Sequence, residues 1–368
     1  MQNSYLLQHI VFSSSSSCYL STSTSVMSTK HDNEAAWHET EKAYPLVVGP
    51  APMPKPGADE VVIKVAYAAI NPSDHMMQDA PYLEIPYPWI SGLDVAGIIV
   101  QLGPGVTGFS IGQRVMANCL PLLTQKPEYS GFQRYVTCKT ILVAAIPDRL
   151  PLANAAVLPI AVTTAANALF HKLRLPLPSS RPEPIDTKVL IWGGSSSCGS
   201  CAIQLAVAAG LTVVTTAGRE NLEYVRELGA AYTFDRAAPD VREQIGKVLR
   251  RGDVVIDCIA TSSTQAICGE ILSSIGGGKL ALLLPPLVPF PQGVEAMFVV
   301  AAWLVTEAPG VCEAIWHQYL PKALDAGIFQ AKPDPLIIQG GLSKVQEGID
   351  MVRKGVSAKK VIIEIAAE

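Results

Sequence analysis

Residues 189–210, VLIWGGSSSCGSCAIQLAVAAG, constrain this chain more than any other stretch. An apolar strand runs into a turn of glycine and serine, and the turn opens an apolar helix that Gly210 closes. The same grammar then repeats. LTVVTTAG, AYTFD, DVVIDCIA and KLALLLPP read as strands, and RENLEYVRELGA, DVREQIGKVLRRG and QAICGEILSSIGGG as the helices between them. Strands that are apolar along their whole length are covered on both faces, so the alternation predicts an α/β domain on a doubly wound parallel sheet.

A strand, turn and helix of this kind is where the pyrophosphate of a dinucleotide sits. The backbone has to bend sharply, approach the phosphates closely and open a helix whose N-terminus favours anions. Gly193, Gly194 and Gly199, with Ser195 and Ser196 among them, supply this without the usual G-x-G-x-x-G spacing, and the serine hydroxyls add donors. The end of the next strand distinguishes the cofactors, because an NAD site wants an acid there for the ribose 2′-hydroxyl. This strand ends in Thr216, Ala217, Gly218 and Arg219, and Arg236 follows the strand after it. Neutral donors and arginine suit a 2′-phosphate, so NADPH is the expected cofactor. Cys198 and Cys201 also spell Cys-x-x-Cys at a helix start, where a thiol pKa falls. That redox motif belongs to a different βαβ setting, and Cys201 is expected to face the sheet as a small apolar residue.

The chain before this region is written differently. DEVVIKVAYAAINPSD, GLDVAGIIVQLGPGVTGFSIGQRVMA and GFQRYVTCKTILVAAIPDRL give short Val/Ile-rich strands punctuated by glycine, which predicts a compact barrel-like domain over residues 35–155. Residues 151–170 read as helices, residues 176–187 as an exposed Pro/Ser-rich loop and residues 320–331 as a helix. The nucleotide-binding domain is placed at 156–319. Residues 320–368 return to the first domain, with KKVIIEI as a closing strand. FSSSSSCYLSTSTS lacks the basic and apolar regions of a signal peptide, so residues 1–34 are expected to be a disordered tail.

Composition excludes other classes. With 16% charged residues and a net charge of -4, no basic face suggests nucleic acid, and no run of apolar residues is long enough for a membrane span. Eight scattered cysteines in a chain of 368 residues read as a reduced, cytoplasmic protein. Histidines 31, 38, 75, 171 and 317 show no ligand spacing, and no four cysteines cluster for structural zinc, so no metal is expected.

AINPSD, GLDVAG, LGPGVTGFSIGQRV, GFQRYV, LPIAVTTA and QGGLSKVQEGIDMVRKGVSAKKVII, in this order around the Gly/Ser turn, resemble the medium-chain dehydrogenase/reductase superfamily in its zinc-free, quinone-reductase-like branch. GLDVAG stands where zinc alcohol dehydrogenases carry a Gly-His-Glu ligand segment. Within the branch, the LPLPSS insert, RENLEYVRELGA and the IQGGLSKVQEGIDMVRKG ending are most similar to the fungal trans-acting enoyl reductases of polyketide synthases. The resemblance implies a GroES-like β-rich domain beside a Rossmann domain. It also implies NADPH-dependent reduction of the α,β-double bond of an enoyl thioester on an acyl carrier domain, with the synthase as partner and a monomer preferred over a homodimer. The family's cofactor contacts carry over onto Ser73, Asp74, His75 and Met76, onto Gly193, Gly194, Ser195 and Ser196, onto Thr216, Ala217, Gly218 and Arg219, and onto Arg236, Leu282, Leu283, Ser357 and Ala358. Its substrate channel carries over onto Thr164, Ala165, Ala166, Asn167, Ala168, Leu169, Phe170 and His171, and onto Val300, Ala301, Ala302, Trp303 and Leu304. Ser73, His75 and Thr164 are the candidate catalytic groups. The chain departs from the family at Met76, where Lys is frequent, and at Arg236, where Tyr is common. Reduction of a quinone or free enone, and NADPH binding without catalysis, are the alternative readings.

Overall fold

The computed structural model describes residues 33–81 and 84–366. The tail expected over residues 1–34 lies outside them except for Asn33 and Glu34, which begin the first strand; Cys18 and His31 also lie outside.

Among the described residues, eight strands come before the strand that enters the Gly/Ser turn: β1 (Asn33–His38), β2 (Val47–Ala51), β3 (Glu60–Ala69), β4 (Trp89–Ile90), β5 (Asp94–Leu102), β6 (Arg114–Asn118), β7 (Tyr135–Lys139) and β8 (Val143–Ala145). Six more follow as β9 (Lys188–Trp192), β10 (Thr212–Ala217), β11 (Tyr232–Asp235), β12 (Val254–Asp257), β13 (Gly278–Leu282) and β14 (Val294–Phe298), and the last two are β15 (Asp334–Ile338) and β16 (Lys359–Glu364). The first domain holds a small sheet, β2-β1-β4, and a larger one, β15-β16-β3-β5-β6-β8, with β7 paired on β3. β16 runs antiparallel to β3 with Ile362 opposite Ala69, so the C-terminal segment does close the first domain.

The sheet of the second domain is parallel throughout, in the order β11-β10-β9-β12-β13-β14. This is the doubly wound order, in which a ligand crevice opens outside the carboxyl ends of the strands where the order reverses. β14 and β15 were not anticipated from the sequence. Both are edge strands: Glu295 stands exposed at the second position of one, and Pro335 and the exposed Leu336 interrupt the other. Their residues therefore lack the unbroken apolar run of a central strand.

The helical region 151–170 resolves into Leu152–Ala155, Pro159–Ala166 and a π-helical turn, Asn167–Lys172. By length and composition Leu152–Lys172 would pass for a membrane span, but 83% of its most apolar window is buried inside the protein. The helix expected over 320–331 stops at Asp325, because Gly327 turns left-handed at φ +70°. The helix Pro159–Ala166 packs in one apolar cluster with Met116 and Leu142 of the first domain and Ile191, Ile203 and Trp316 of the second. The two domains thus share a core, which sets how the crevice meets the first domain.

Candidate active site

The turn after β9 is built to expose backbone donors. Gly193 takes φ +85°, donates to Thr216 Oγ1 at 3.1 Å, and is followed by Gly194, which donates to the Thr216 carbonyl at 2.8 Å. Both amides are thereby tied to β10. A Cβ on Gly199 would stand 2.3 Å from the Gly193 carbonyl oxygen, so only glycine lets the helix Ser197–Ala208 start directly against the turn. Ser196 caps that helix: its Oγ accepts from the Gly199 N–H at 3.0 Å and donates to the Gly193 carbonyl at 2.8 Å. Its hydroxyl is committed within the turn rather than offered to a phosphate. The N–H groups of Ser195, Ser197 and Cys198 have no intramolecular acceptor among the described residues. Three amides at a helix N-terminus fit a pyrophosphate.

The parallel register places the other cofactor candidates along the same edge. Trp192 lies opposite both Thr216 and Asp257, Thr216 opposite Phe234, and Asp257 opposite Leu282. Gly193–Ser196, Thr216–Arg219, Arg236 and Leu282–Leu283 therefore stand at or just beyond the carboxyl ends of strands in one sheet. Arg219 is 86% exposed and pairs through Nε with Asp235 Oδ2 at 3.2 Å, which leaves its terminal nitrogens available. Arg236 is exposed, and its backbone N–H is held by the Ala217 carbonyl at 2.9 Å. Ser357, from the loop before β16, accepts from Asn221 Nδ2 at 2.9 Å and so brings the C-terminal segment to this edge. Asp257, not singled out by the residue pattern, is buried at the end of β12. It shapes the next loop by accepting from the N–H groups of Ile259 and Ala260 and from Thr264 Oγ1. Cys201 is wholly buried with its thiol pushed well up by burial, and Cys198 and Cys201 are both free thiols rather than a disulfide pair.

The candidates of the first domain lie in the turn and helix after β3. Asn71 precedes the helix Pro72–Asp79, and Asp74 Oδ2 accepts the Asn71 N–H at 2.8 Å. Ser73 and Met76 are half-buried on that helix. His75 Nδ1 lies 3.4 Å from Asp79 Oδ2, one turn further along, and Asp79 is held in turn by Arg353. Sequence reasoning missed the buried group at the start of this helix, formed by Asn71, Asp94 and Lys360. A charged residue inside the apolar GLDVAGIIV strand was the available signal, since a buried carboxylate demands a partner.

The comparisons with known proteins agree with this geometry. Residues 57–148 match the alcohol dehydrogenase GroES-like domain and residues 198–282 the zinc-binding dehydrogenase domain. The chain is 55% identical over 334 residues to trans-enoyl reductase himH of Aspergillus japonicus, covering 91% of this chain and 98% of that one. The chain belongs to the trans-enoyl reductases of the medium-chain dehydrogenase/reductase superfamily. Dehydrogenase orsE of Emericella nidulans is 33% identical, with 90% of this chain and 99% of the relative covered. The crystal structure of CurK enoyl reductase shares the fold at a TM-score of 0.73 with 19% identity, over 91% of this chain and 99% of that one. The family resemblance read from the sequence is thus borne out. Among the described residues of this trans-enoyl reductase, no three His, Cys, Asp or Glu side chains come together as metal ligands.

The two segments expected to line a substrate channel touch: Asn167 Nδ2 donates to the Val300 carbonyl at 2.8 Å. Within 164–171, Thr164 and His171 reach the surface, while Ala165, Ala166, Asn167, Ala168, Leu169 and Phe170 are buried. Thr164 Oγ1 donates to the Ile160 carbonyl at 2.7 Å, so toward a ligand it can act only as an acceptor. His171 and Lys172 share Glu307, and Lys172 sits 5.6 Å over the Trp303 ring. Val300, Ala301, Ala302 and Trp303 are half-buried and Leu304 is buried.

Burial pushes the Asp74 carboxyl up to about 7, against the N–H groups of Asn71 and Gly92, and neighbouring Asp94 adds to the rise. Between the ordinary carboxylate range and pH 7, the folded protein holds a proton that the unfolded chain has lost. Stability therefore falls as pH rises through that window, and the deficit is complete above it. Asp74→Asn is expected to gain about 1–3 kcal/mol over the parent at pH 8 and nothing at pH 4. Denaturant unfolding of both proteins at each pH checks this. The comparison with the parent is needed because His38, buried against Ser91 and pushed down to about 4, has the opposite slope.

Proposed function

We propose that the protein reduces the α,β-double bond of an enoyl thioester carried on the acyl carrier domain of a polyketide synthase, with NADPH as the reductant. The observation that carries the reading is the 55% identity to a trans-enoyl reductase across 91% of the chain. The exposed arginines at the ends of β10 and β11, in place of an acid at the end of β10, support NADPH over NADH. NADPH, when bound, supplies a hydride for the β-carbon of the thioester. The chain's part is positioning and charge stabilisation. The amides of Ser195, Ser197 and Cys198 hold the pyrophosphate, and Arg219 and Arg236 meet the 2′-phosphate. Met76 stands where the family often has Lys and has no proton to give, so the α-carbon takes its proton from a hydroxyl or from water. We place the protein in the cytoplasm, as a monomer that meets its synthase.

Following NADPH absorbance with an enoyl-pantetheine thioester, a simple quinone or no substrate, and with NADH in parallel, tests the reading. Turnover of NADPH with the thioester is expected to exceed that with quinone, and that with NADH, by roughly tenfold or more. Consumption with quinone alone would replace this reading with quinone reduction.

A further inference from the structure

One buried carboxylate joins three segments from distant parts of the chain. Asp94 opens β5 and is wholly buried. Its Oδ1 accepts the N–H of Ile160 at 2.5 Å, in the first turn of the helix that carries Thr164. Its Oδ2 accepts from Asn71 Nδ2 at 2.9 Å, just before the helix that carries Ser73 and Met76. The same oxygen lies 3.3 Å from Lys360 Nζ, on β16 two residues beyond Ala358. Lys360 closes the ring by donating to Asn71 Oδ1 at 2.5 Å.

A pair buried this deeply is a poor source of stability, because desolvation offsets much of the attraction. Its hydrogen bonds do what apolar packing does not: they set direction. With Nδ2 on Asp94 and Oδ1 on Lys360, the Asn71 amide has a single orientation, and the Ile160 amide points at the opposite oxygen of the same carboxylate. We infer that Asn71, Asp94 and Lys360 are positioning residues. They hold the turn after β3, the Thr164 helix and the loop before β16 in register, and so place the nicotinamide end of the cofactor against the substrate. The inference rests on the NADPH-dependent reading above.

The test compares the parent with Lys360→Met and with the double variant Asp94→Asn/Lys360→Met. The single variant leaves Asp94 buried without its cation; if it does not fold, the double variant, in which neither Asp94 nor Lys360 brings a charge to the ring, carries the test. Affinity is measured for NADPH and for 2′-phospho-ADP-ribose, which lacks the nicotinamide, alongside kcat and KM with an enoyl thioester. The double variant is expected to bind the fragment within about twofold of the parent, to bind NADPH about tenfold more weakly, and to lose about tenfold or more in kcat with KM little changed. NADPH affinity and kcat within about twofold of the parent would overturn the inference, whatever the melting temperature. So would equal losses for fragment and NADPH, which would mean that the whole cofactor face had shifted. A parent that binds NADPH but reduces no enoyl thioester would sink the proposed reaction, while the ratio of NADPH to fragment affinity would still decide the positioning role.

Discussion

Gly199→Ala is expected to weaken dinucleotide binding by about a hundredfold or more and to destabilise the fold by about 3 kcal/mol. The added methyl would stand 2.3 Å from the Gly193 carbonyl oxygen and 2.7 Å from Gly194 Cα, and both are backbone atoms. Neither can swing away as a side-chain end would. Gly193 and Gly194 are tied to Thr216, and Ser196 locks the turn to the helix through Gly199 itself. Relief therefore comes only by lifting the helix off the turn, which moves the amides of Ser197 and Cys198 away from Ser195 and breaks up the anion site. Gly310→Ala is the control: nothing lies within 4 Å of a Cβ there, and it is expected to bind NADPH as the parent does. Calorimetric titration with NADPH and thermal melting of both variants check the pair. Parent-like affinity in Gly199→Ala would mean that the phosphates do not sit at this turn.

How much of this was legible from sequence differed by element, for physical reasons. Central strands such as Lys188–Trp192 and Val254–Asp257 are buried on both faces, and burial writes itself as an unbroken apolar run. Edge strands carry no such signature, and Val294–Phe298 passed unseen with the exposed Glu295 as its second residue. The phosphate turn could be read because backbone geometry there demands glycine, and glycine is visible as a letter. The assignment of hydroxyls within it could not: Ser195, Ser196 and Ser197 are the same letter, and only the fold shows that the second is a cap. The Asn71, Asp94 and Lys360 ring lay beyond reach for another reason. Its members stand 23 and 289 residues from Asn71, and no local period links them. Asp74 lies between these cases. An Asp three residues after Asn71 is within local reach of the Asn71 amide, and that bond stabilises the turn, whereas its shifted acidity comes from burial that no local pattern encodes.

The double variant Arg219→Ala/Arg236→Ala is expected to lose the preference for NADPH by about two orders of magnitude in kcat/KM, with NADH changed by less than about threefold. The two side chains are exposed at the ends of adjacent strands, and charge-assisted bonds to a phosphate contribute about 1.5–3 kcal/mol each. Nothing else charged positively flanks this edge in the sequence from 212 to 241 except Arg226, which is engaged with Glu223 and Thr233. Removing Arg219 also uncovers Asp235. That carboxyl is held below the usual carboxylate range, first by the Ala237 N–H and then by Arg219, and it stays ionised in the variant. A bare carboxylate beside the 2′ position repels phosphate and can accept a ribose hydroxyl, so the variant should lean toward NADH rather than become indifferent. Salt separates this account from a general loss of binding. In the parent, kcat/KM for NADPH should fall as ionic strength rises, because the phosphate contacts are exposed and screened, and in the double variant the dependence should flatten. Retained NADPH preference in the variant would place the 2′-phosphate elsewhere on the protein, and equal losses for NADPH and NADH would mean that the arginines support the strand ends rather than read the phosphate.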